Sequence, residues 1–146
     1  MIEPLNDNNL SELLPLIREY QAFYHVADID DARNRAFFSR FITDTGRGVL
    51  HLYRHNGRVV GFSTLYFCFS STRASEVAVL NDLYVATDQR RQGIARALLT
   101  NAELVARERG YTRLQWLTAA DNERAQGLYD SLGAGKSGWL FYARDL

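Results

Sequence analysis

The chain has 146 residues, 47% of them apolar and 12% aromatic, which is enough to build the core of one domain, and we expect a single domain over residues 1–146. Its formal charges balance at zero, whereas a strong nucleic-acid binder usually carries an excess of positive charge, so no nucleic-acid partner is expected. The sequence has no apolar run of about 18 residues that would span a membrane, no secretory signal, and Cys68 as its only cysteine. We therefore expect a cytoplasmic protein without membrane contact or disulfides.

Charge is distributed unevenly along the chain. Residues 1–46 hold eight acidic residues against four arginines, and residues 47–146 hold nine acidic against thirteen basic residues. This distribution suits a cationic acceptor on one side and a polyanionic cofactor on the other. Scattered surface charge explains it equally well.

The first part of the chain predicts two helices. Apolar residues spaced i, i+3, i+4 and i+7 predict a helix from Leu10, with Pro15 either kinking the helix or delaying its start. Asp30 or Asp31 is placed to cap a second helix, whose apolar positions continue to Phe41. These two helices precede the first long strands.

Strands are predicted from β-branched and aromatic runs bounded by turn residues. They cover residues 2–5, 49–54, 58–69, 76–86, 112–118 and 139–144. Asn56-Gly57 separates two of them and is a strong signal for a β-hairpin turn.

Two further helices alternate with the later strands. One runs from Gly93 to Arg109 and ends at Gly110, a typical C′ glycine. The other is capped by Asn122 and ends at Gly133. The order of elements predicts an α/β fold: one domain with a twisted mixed sheet and helices on both sheet faces.

The segment that opens the helix at Gly93 favours anion binding. It consists of Arg90, Arg91, Gln92, Gly93, Ile94, Ala95 and Arg96. The first turn of a helix exposes unpaired N–H groups and the positive end of the dipole, small residues let an anion approach the backbone, and arginines add charged donors. The segment predicts a diphosphate cradle, with an ordinary arginine-rich helix start as the alternative.

Between Leu80 and Gly133 the chain resembles the GNAT superfamily of N-acetyltransferases. That family's phosphate motif, Arg/Gln-x-x-Gly-x-Gly/Ala, is met by Arg90, Gly93 and Ala95, and its downstream motif by Asn122, Ala125 and Tyr129. Residues 81–85 and 116–118 also resemble the subgroup of diamine acetyltransferases and yeast histone and polyamine acetyltransferases. The resemblance implies the acyltransferase fold, acetyl-CoA as cosubstrate and a homodimer. No metal is expected, because the pattern around His51 and His55 is that of a strand and no nearby cysteine or carboxylate completes a site.

The same resemblance implies a reaction and roles for residues. An acetyl group passes from acetyl-CoA to a primary amine of a small molecule, such as a polyamine or amino acid, by direct attack. The strand containing Leu83, Tyr84 and Val85 leaves its neighbour, and its backbone holds the pantetheine arm, with the N–H of Leu83 or Val85 stabilising the oxyanion. The segment from Arg90 to Arg96 grips the diphosphate, and Asn122 touches the cofactor arm.

Tyr129 is expected to protonate the departing thiolate, although its spacing on a helix face also suits a core aromatic. The general base is less well defined. Many relatives have a glutamate where this chain has Asn81, which cannot accept a proton. Asp82 is the favoured base, but neighbouring residues on a strand face opposite sides, so Glu19, Glu76 or a water chain remain alternatives, as does a purely structural Asp82.

The acceptor is expected between the N-terminal helices and the Asn81 strand. Tyr24, His25, Asp28 and Asn81 are the candidate substrate residues, and Asp28, Asp30 and Asp31 could attract a cationic amine. A protein amino group as acceptor is one alternative. The other is a catalytically weak CoA-binding module, which the asparagine at position 81 favours.

The stretch from Gly133 to Gly138 matches Gly-x-Gly-x-x-Gly and contains Gly-Lys-Ser. Both nucleotide motifs require a strand before and a helix after them. Here a helix precedes and a strand is predicted to follow, so a turn is expected instead.

Overall fold

The computed structural model describes all 146 residues. Its elements are β1 (Ile2–Pro4), α1 (Leu10–Phe23), α2 (Asp31–Phe38), α3 (Arg40–Thr43), β2 (Gly48–His55), β3 (Arg58–Ser70), β4 (Ser75–Val85), α4 (Ile94–Glu108), β5 (Leu114–Gln115) and α5 (Glu123–Ser131). Contacts divide the chain into two units, Met1–Trp116 and Leu117–Leu146, and each is described by itself. The single domain over residues 1–146 stays a prediction.

The five strands form one mixed sheet in the order β1-β2-β3-β4-β5. Neighbours among β1 to β4 are antiparallel, and β5 runs parallel to β4. A parallel pair needs a long crossover, which α4 provides. The predicted β2–β3 hairpin is confirmed, because Asn56 and Gly57 both have positive φ, 48° and 78°, as a type I′ turn requires.

Helices cover both faces of this sheet, as the sequence predicted. On one face, Ile17 of α1 joins Leu52 and Phe62 in a core cluster that also includes α2 and α3 residues. On the other face, Leu98 of α4 packs with Val85 at the end of β4. The apolar stripe predicted from Leu10 onward is therefore the buried face of α1.

The ends of the first helices follow from local hydrogen bonds. α1 begins at Leu10 and continues through Pro15, so a late start is wrong. Asp30 caps α2 by accepting a 2.7 Å hydrogen bond from the N–H of Arg33. The second helix was predicted to be continuous, but it is interrupted at Ser39, whose hydroxyl donates to a backbone carbonyl and so competes with the helical pattern.

In the unit Leu117–Leu146, the predicted cap of α5 is confirmed, since the N–H of Ala125 donates to Asn122 Oδ1 at 3.2 Å. The strand predicted at 139–144 is wrong: this stretch is irregular, and Trp139 is 88% exposed. A strand needs a neighbouring strand to pair its backbone groups, and this unit has none. Residues 133–138 are irregular, and no helix follows them. This agrees with the prediction that the stretch is not a nucleotide-binding motif.

Candidate active site

β4 parts from β5 after a very short pairing. Only Ala78 pairs with Leu114 and Val79 with Gln115, so β5 is much shorter than the predicted strand over 112–118. β4 continues to Val85 with β3 on one side and no strand on the other. The predicted opening between these two strands is therefore present.

Backbone groups of Leu83 and Val85 face this opening. The N–H of Ala86 donates to the carbonyl of Val60 on the β3 side at 2.8 Å. Because successive residues of an antiparallel strand alternate between the two sides, Leu83 and Val85 direct their N–H and C=O groups away from β3. Arg90 confirms this for Val85, since its Nε donates to the Val85 carbonyl at 3.1 Å.

The turn before α4 has the geometry of an anion site. Gly93 is the N-cap residue with φ 77°, and Arg91 also lies at positive φ, 68°. The N–H of Ala97 reaches the carbonyl of Gly93, and the amides before it have no preceding helical turn to bond. A Cβ built on Gly93 meets no atom within 4 Å, so no other part of the chain fills the space beside this glycine. These residues fit a diphosphate group.

Arg90 is already engaged within the chain. Besides its bond to Val85, its guanidinium lies 5.1 Å from the ring centre of Phe23 and 5.5 Å from that of Tyr84. These contacts tie the loop before α4 to α1 and β4. Arg91 and Gln92, in contrast, are exposed. They are better placed than Arg90 to add donors for an anion.

A β-bulge interrupts β4 at Asn81. Thr64 of β3 lies opposite Asp82, whereas Leu65 lies opposite Leu80, so Asn81 is the extra residue. Nδ2 of Asn81 donates to the Tyr66 hydroxyl at 3.2 Å, and the charge of Asp82 also acts on Tyr66. The expectation that residues 81 and 82 serve opposite faces is therefore wrong, because a bulge redirects side chains.

Asp82 is held by a tyrosine of α1. The Tyr20 hydroxyl donates to Asp82 Oδ1 at 2.7 Å. Burial, followed by the charge of Asp82, raises the pKa of Tyr20 far above its usual value. Burial, followed by the same charge, raises the pKa of Tyr66 to about 12. Both phenols therefore remain protonated near neutral pH, and Asp82 is the carboxylate beside them.

The alternative bases lie elsewhere. Oε1 of Glu19 accepts hydrogen bonds from the Tyr84 hydroxyl at 3.0 Å and the Thr87 N–H at 3.1 Å. Glu76 lies opposite Phe69 near the other end of β4, about 20 Å from Asp82 at the rise of an extended strand.

The predicted acceptor residues separate into two groups. The ring centre of Tyr24 lies 5.1 Å from that of Tyr20, which donates a hydrogen bond to Asp82. Asn81 precedes Asp82 on β4. His25 is exposed at φ 58°, and Asp28 pairs with Arg33. These last two have no contact that links them to Asp82.

The two other acidic residues expected to attract an amine are also occupied. Asp31 pairs with Arg18 at 2.8 Å, and Asp30 caps α2. Sequence reasoning missed Tyr20 and Tyr66, although Tyr20 continues the i, i+3 spacing of the apolar stripe from Ile17.

In the second unit, Asn122 acts as a helix cap, and Tyr129 lies on α5. Their roles toward a cofactor stay predictions. No helix in the structure combines the length and apolar character needed to cross a bilayer. No group of three or more His, Cys, Asp or Glu side chains could hold a metal ion.

A mixed sheet that opens between its fourth and fifth strands, beside a glycine-led helix start, is the architecture of a CoA-dependent acyltransferase. Residues 13–134 match the Acetyltransferase (GNAT) family. The chain belongs to this family and is an acetyl-transferring enzyme whose family uses acetyl-CoA.

Similar proteins agree with this assignment. The chain is 31% identical to a D-amino-acid N-acetyltransferase of Saccharomyces cerevisiae over 146 residues, covering 99% of this chain and 88% of that one. It is 30% identical to a thialysine N-ε-acetyltransferase of Caenorhabditis elegans over 89 residues, 58% of this chain and 55% of that one. The crystal structure of a probable acetyltransferase matches with a TM-score of 0.85 and 32% identity, covering 100% of this chain and 97% of the other. The predicted relation to the yeast and diamine-type subgroup is thus confirmed.

Proposed function

We propose that this enzyme acetylates the primary amine of a small molecule, with Asp82 as the general base. The observation that carries the proposal is the bulge at Asn81, next to which Asp82 accepts a hydrogen bond from the Tyr20 hydroxyl of α1. The carboxylate lies on β4 next to Leu83, whose N–H faces the opening beside β5. A base and an oxyanion donor are therefore neighbours on one strand.

The proton transfer follows from the amine's chemistry. An aliphatic ammonium has a pKa of about 10, so it must lose a proton before it can attack. Oδ1 of Asp82 is bound to Tyr20, and Oδ2 accepts the proton in the proposed reaction. Acetyl-CoA, when bound, supplies the acetyl thioester, whose C–S bond breaks as the new C–N bond forms.

Further roles are proposed for the groups around the opening. The N–H of Leu83 or Val85 would donate to the acetyl oxygen, and the turn from Arg91 to Ala95 would hold the diphosphate. Tyr129 is proposed, from the family motif alone, to give the departing sulfur its proton. A homodimer is proposed on the same resemblance, and a cytoplasmic location on the composition with its single cysteine.

The acceptor class is supported by chemistry and by relatives. Asp82 attracts a cation, and the exposed ring of Tyr24, which packs against Tyr20, offers a face that an ammonium favours. The relatives named above act on D-amino acids and on thialysine, as their names state. We therefore propose an amino acid, a polyamine or a similar amine as the acceptor, ahead of a protein amino group.

A thiol-release assay tests the proposal. Purified protein is mixed with acetyl-CoA and a panel of D- and L-amino acids, lysine analogues and polyamines. We expect turnover with at least one amine, and Asp82→Asn should lower kcat/KM for it by about 100-fold or more, as loss of a general base does. Unchanged kcat/KM in this variant would eliminate Asp82 as the base.

One observation favours a second function. Asn81 occupies the position of the glutamate expected, from the family resemblance, to act as general base, and its side chain donates a hydrogen bond to the Tyr66 hydroxyl. A weak enzyme that mainly binds CoA and regulates a partner would show CoA binding without turnover of any amine in the panel. Asn81→Glu would then create activity where the natural chain has none.

A further inference from the structure

The hydrogen bond between α1 and β4 leaves Asp82 with two unequal oxygens. Oδ1 accepts the Tyr20 hydroxyl at 2.7 Å, across 62 residues of sequence. Oδ2 accepts no hydrogen bond from any residue of the chain, although the side chain is only partly exposed. One oxygen is thus occupied, and the other is available to a ligand.

Tyr20 is itself held rigidly by aromatic neighbours. Its ring lies edge-on to Phe62, Tyr84 and Tyr24, with ring centres 5.4, 5.3 and 5.1 Å away. Such edge-to-face pairs fix the plane of a ring as well as burying it. The hydroxyl therefore points to one place, which is Oδ1 of Asp82.

The hydroxyl can act only as a donor to Asp82. Burial and the charge of Asp82 keep it protonated, and an ionised carboxylate offers no proton in return. Two other ionisable side chains act on this pair, Tyr66 from β3 and Tyr24, the residue after α1. Glu19, although adjacent to Tyr20, is bound instead to Tyr84 and the Thr87 amide.

We propose that Tyr20 is a positioning residue: by holding Oδ1 of Asp82, it turns Oδ2 toward the acceptor ammonium. The inference rests on the proposed function and deepens it. It explains how Asp82 can act as the base although position 81 carries an asparagine instead of a glutamate. The bulge brings Asp82 to this face of the sheet, and Tyr20 fixes its orientation.

The test compares the wild type with Tyr20→Phe, which keeps the ring and removes only the hydroxyl. Loss of a hydrogen bond to a charged group should lower kcat/KM by about ten- to a hundredfold. The acidic limb of the kcat/KM profile should move to higher pH, because a carboxylate that loses a donor takes up a proton more readily. Tyr53→Phe on β2, which faces the α4 side of the sheet, is the matched control and should change neither quantity.

A double-mutant cycle separates positioning from a general structural effect. If Tyr20 acts through Asp82, Tyr20→Phe should lower the residual activity of Asp82→Asn by less than about twofold. A full additional loss in that background, or an unchanged pH profile in Tyr20→Phe alone, overturns the inference while the transferase function stands. CoA binding by the wild type without turnover of any amine overturns both.

Discussion

The most informative single change is Gly93→Ala, because α4 supplies its own control. Gly93 precedes the first turn of this helix and Gly110 follows its last, at φ 77° and 86°. An added Cβ meets nothing within 4 Å at either position. Alanine at a left-handed position costs about 1–2 kcal/mol, so each variant should unfold about 3–6 °C below the wild type.

The two variants should differ in their affinity for CoA. At Gly93 the new methyl group enters the unfilled space beside this glycine and displaces the diphosphate from the backbone. Loss of a charge-assisted hydrogen bond costs about 1.5–3 kcal/mol, so Kd should rise about ten- to a hundredfold. Gly110→Ala should keep the wild-type Kd. Calorimetry decides: equal CoA affinity in both variants would refute the placement of the diphosphate at this helix start.

Three other predictions follow from single residues. Tyr129→Phe should lower kcat by about 100-fold while CoA affinity is retained, and unchanged turnover across the pH range would show that Tyr129 is not the acid. Gly48→Ala places a Cβ 2.7 Å from the Leu65 carbonyl oxygen and 2.9 Å from the Phe41 ring. The variant should lose about 1–3 kcal/mol of unfolding free energy in urea, and an unchanged urea midpoint would contradict the close packing. Burial lowers the pKa of His51 from its usual 6.5, so the unfolded chain binds the proton more readily and the free energy of unfolding should fall as pH drops below about 6.5. His51→Gln should reduce this loss of stability. An identical decline in the variant and the wild type would refute the assignment.

Features set by neighbouring residues could be predicted from the sequence. The Asn56-Gly57 turn, the Asp30 cap and the start of α4 at Gly93 depend on short stretches whose chemistry selects one geometry. The phosphate motif also consists of neighbouring residues, so it could be predicted from the sequence. It also explains the Asn122 cap of α5.

Features set by pairing between distant segments could not be predicted in this way. The bulge at Asn81 arises from the register of β4 against β3, and the Tyr20–Asp82 hydrogen bond joins positions 62 residues apart. The acidic residues near position 30 suggested an attraction for amines, but Asp28 and Asp31 pair with the chain's own arginines. The apolar run from Trp139 has the composition of a strand. It does not form one, because its unit contains no strand with which it could pair.

The central claim is that the backbone at the start of α4 binds the diphosphate of CoA. Its most direct test is a pair of calorimetric titrations of the folded wild-type protein, one with CoA and one with pantetheine, which lacks the diphosphate. We predict saturable CoA binding and an affinity for pantetheine lower by about 100-fold or more. Absence of CoA uptake at millimolar concentration, or equal affinity for the two ligands, would contradict the claim.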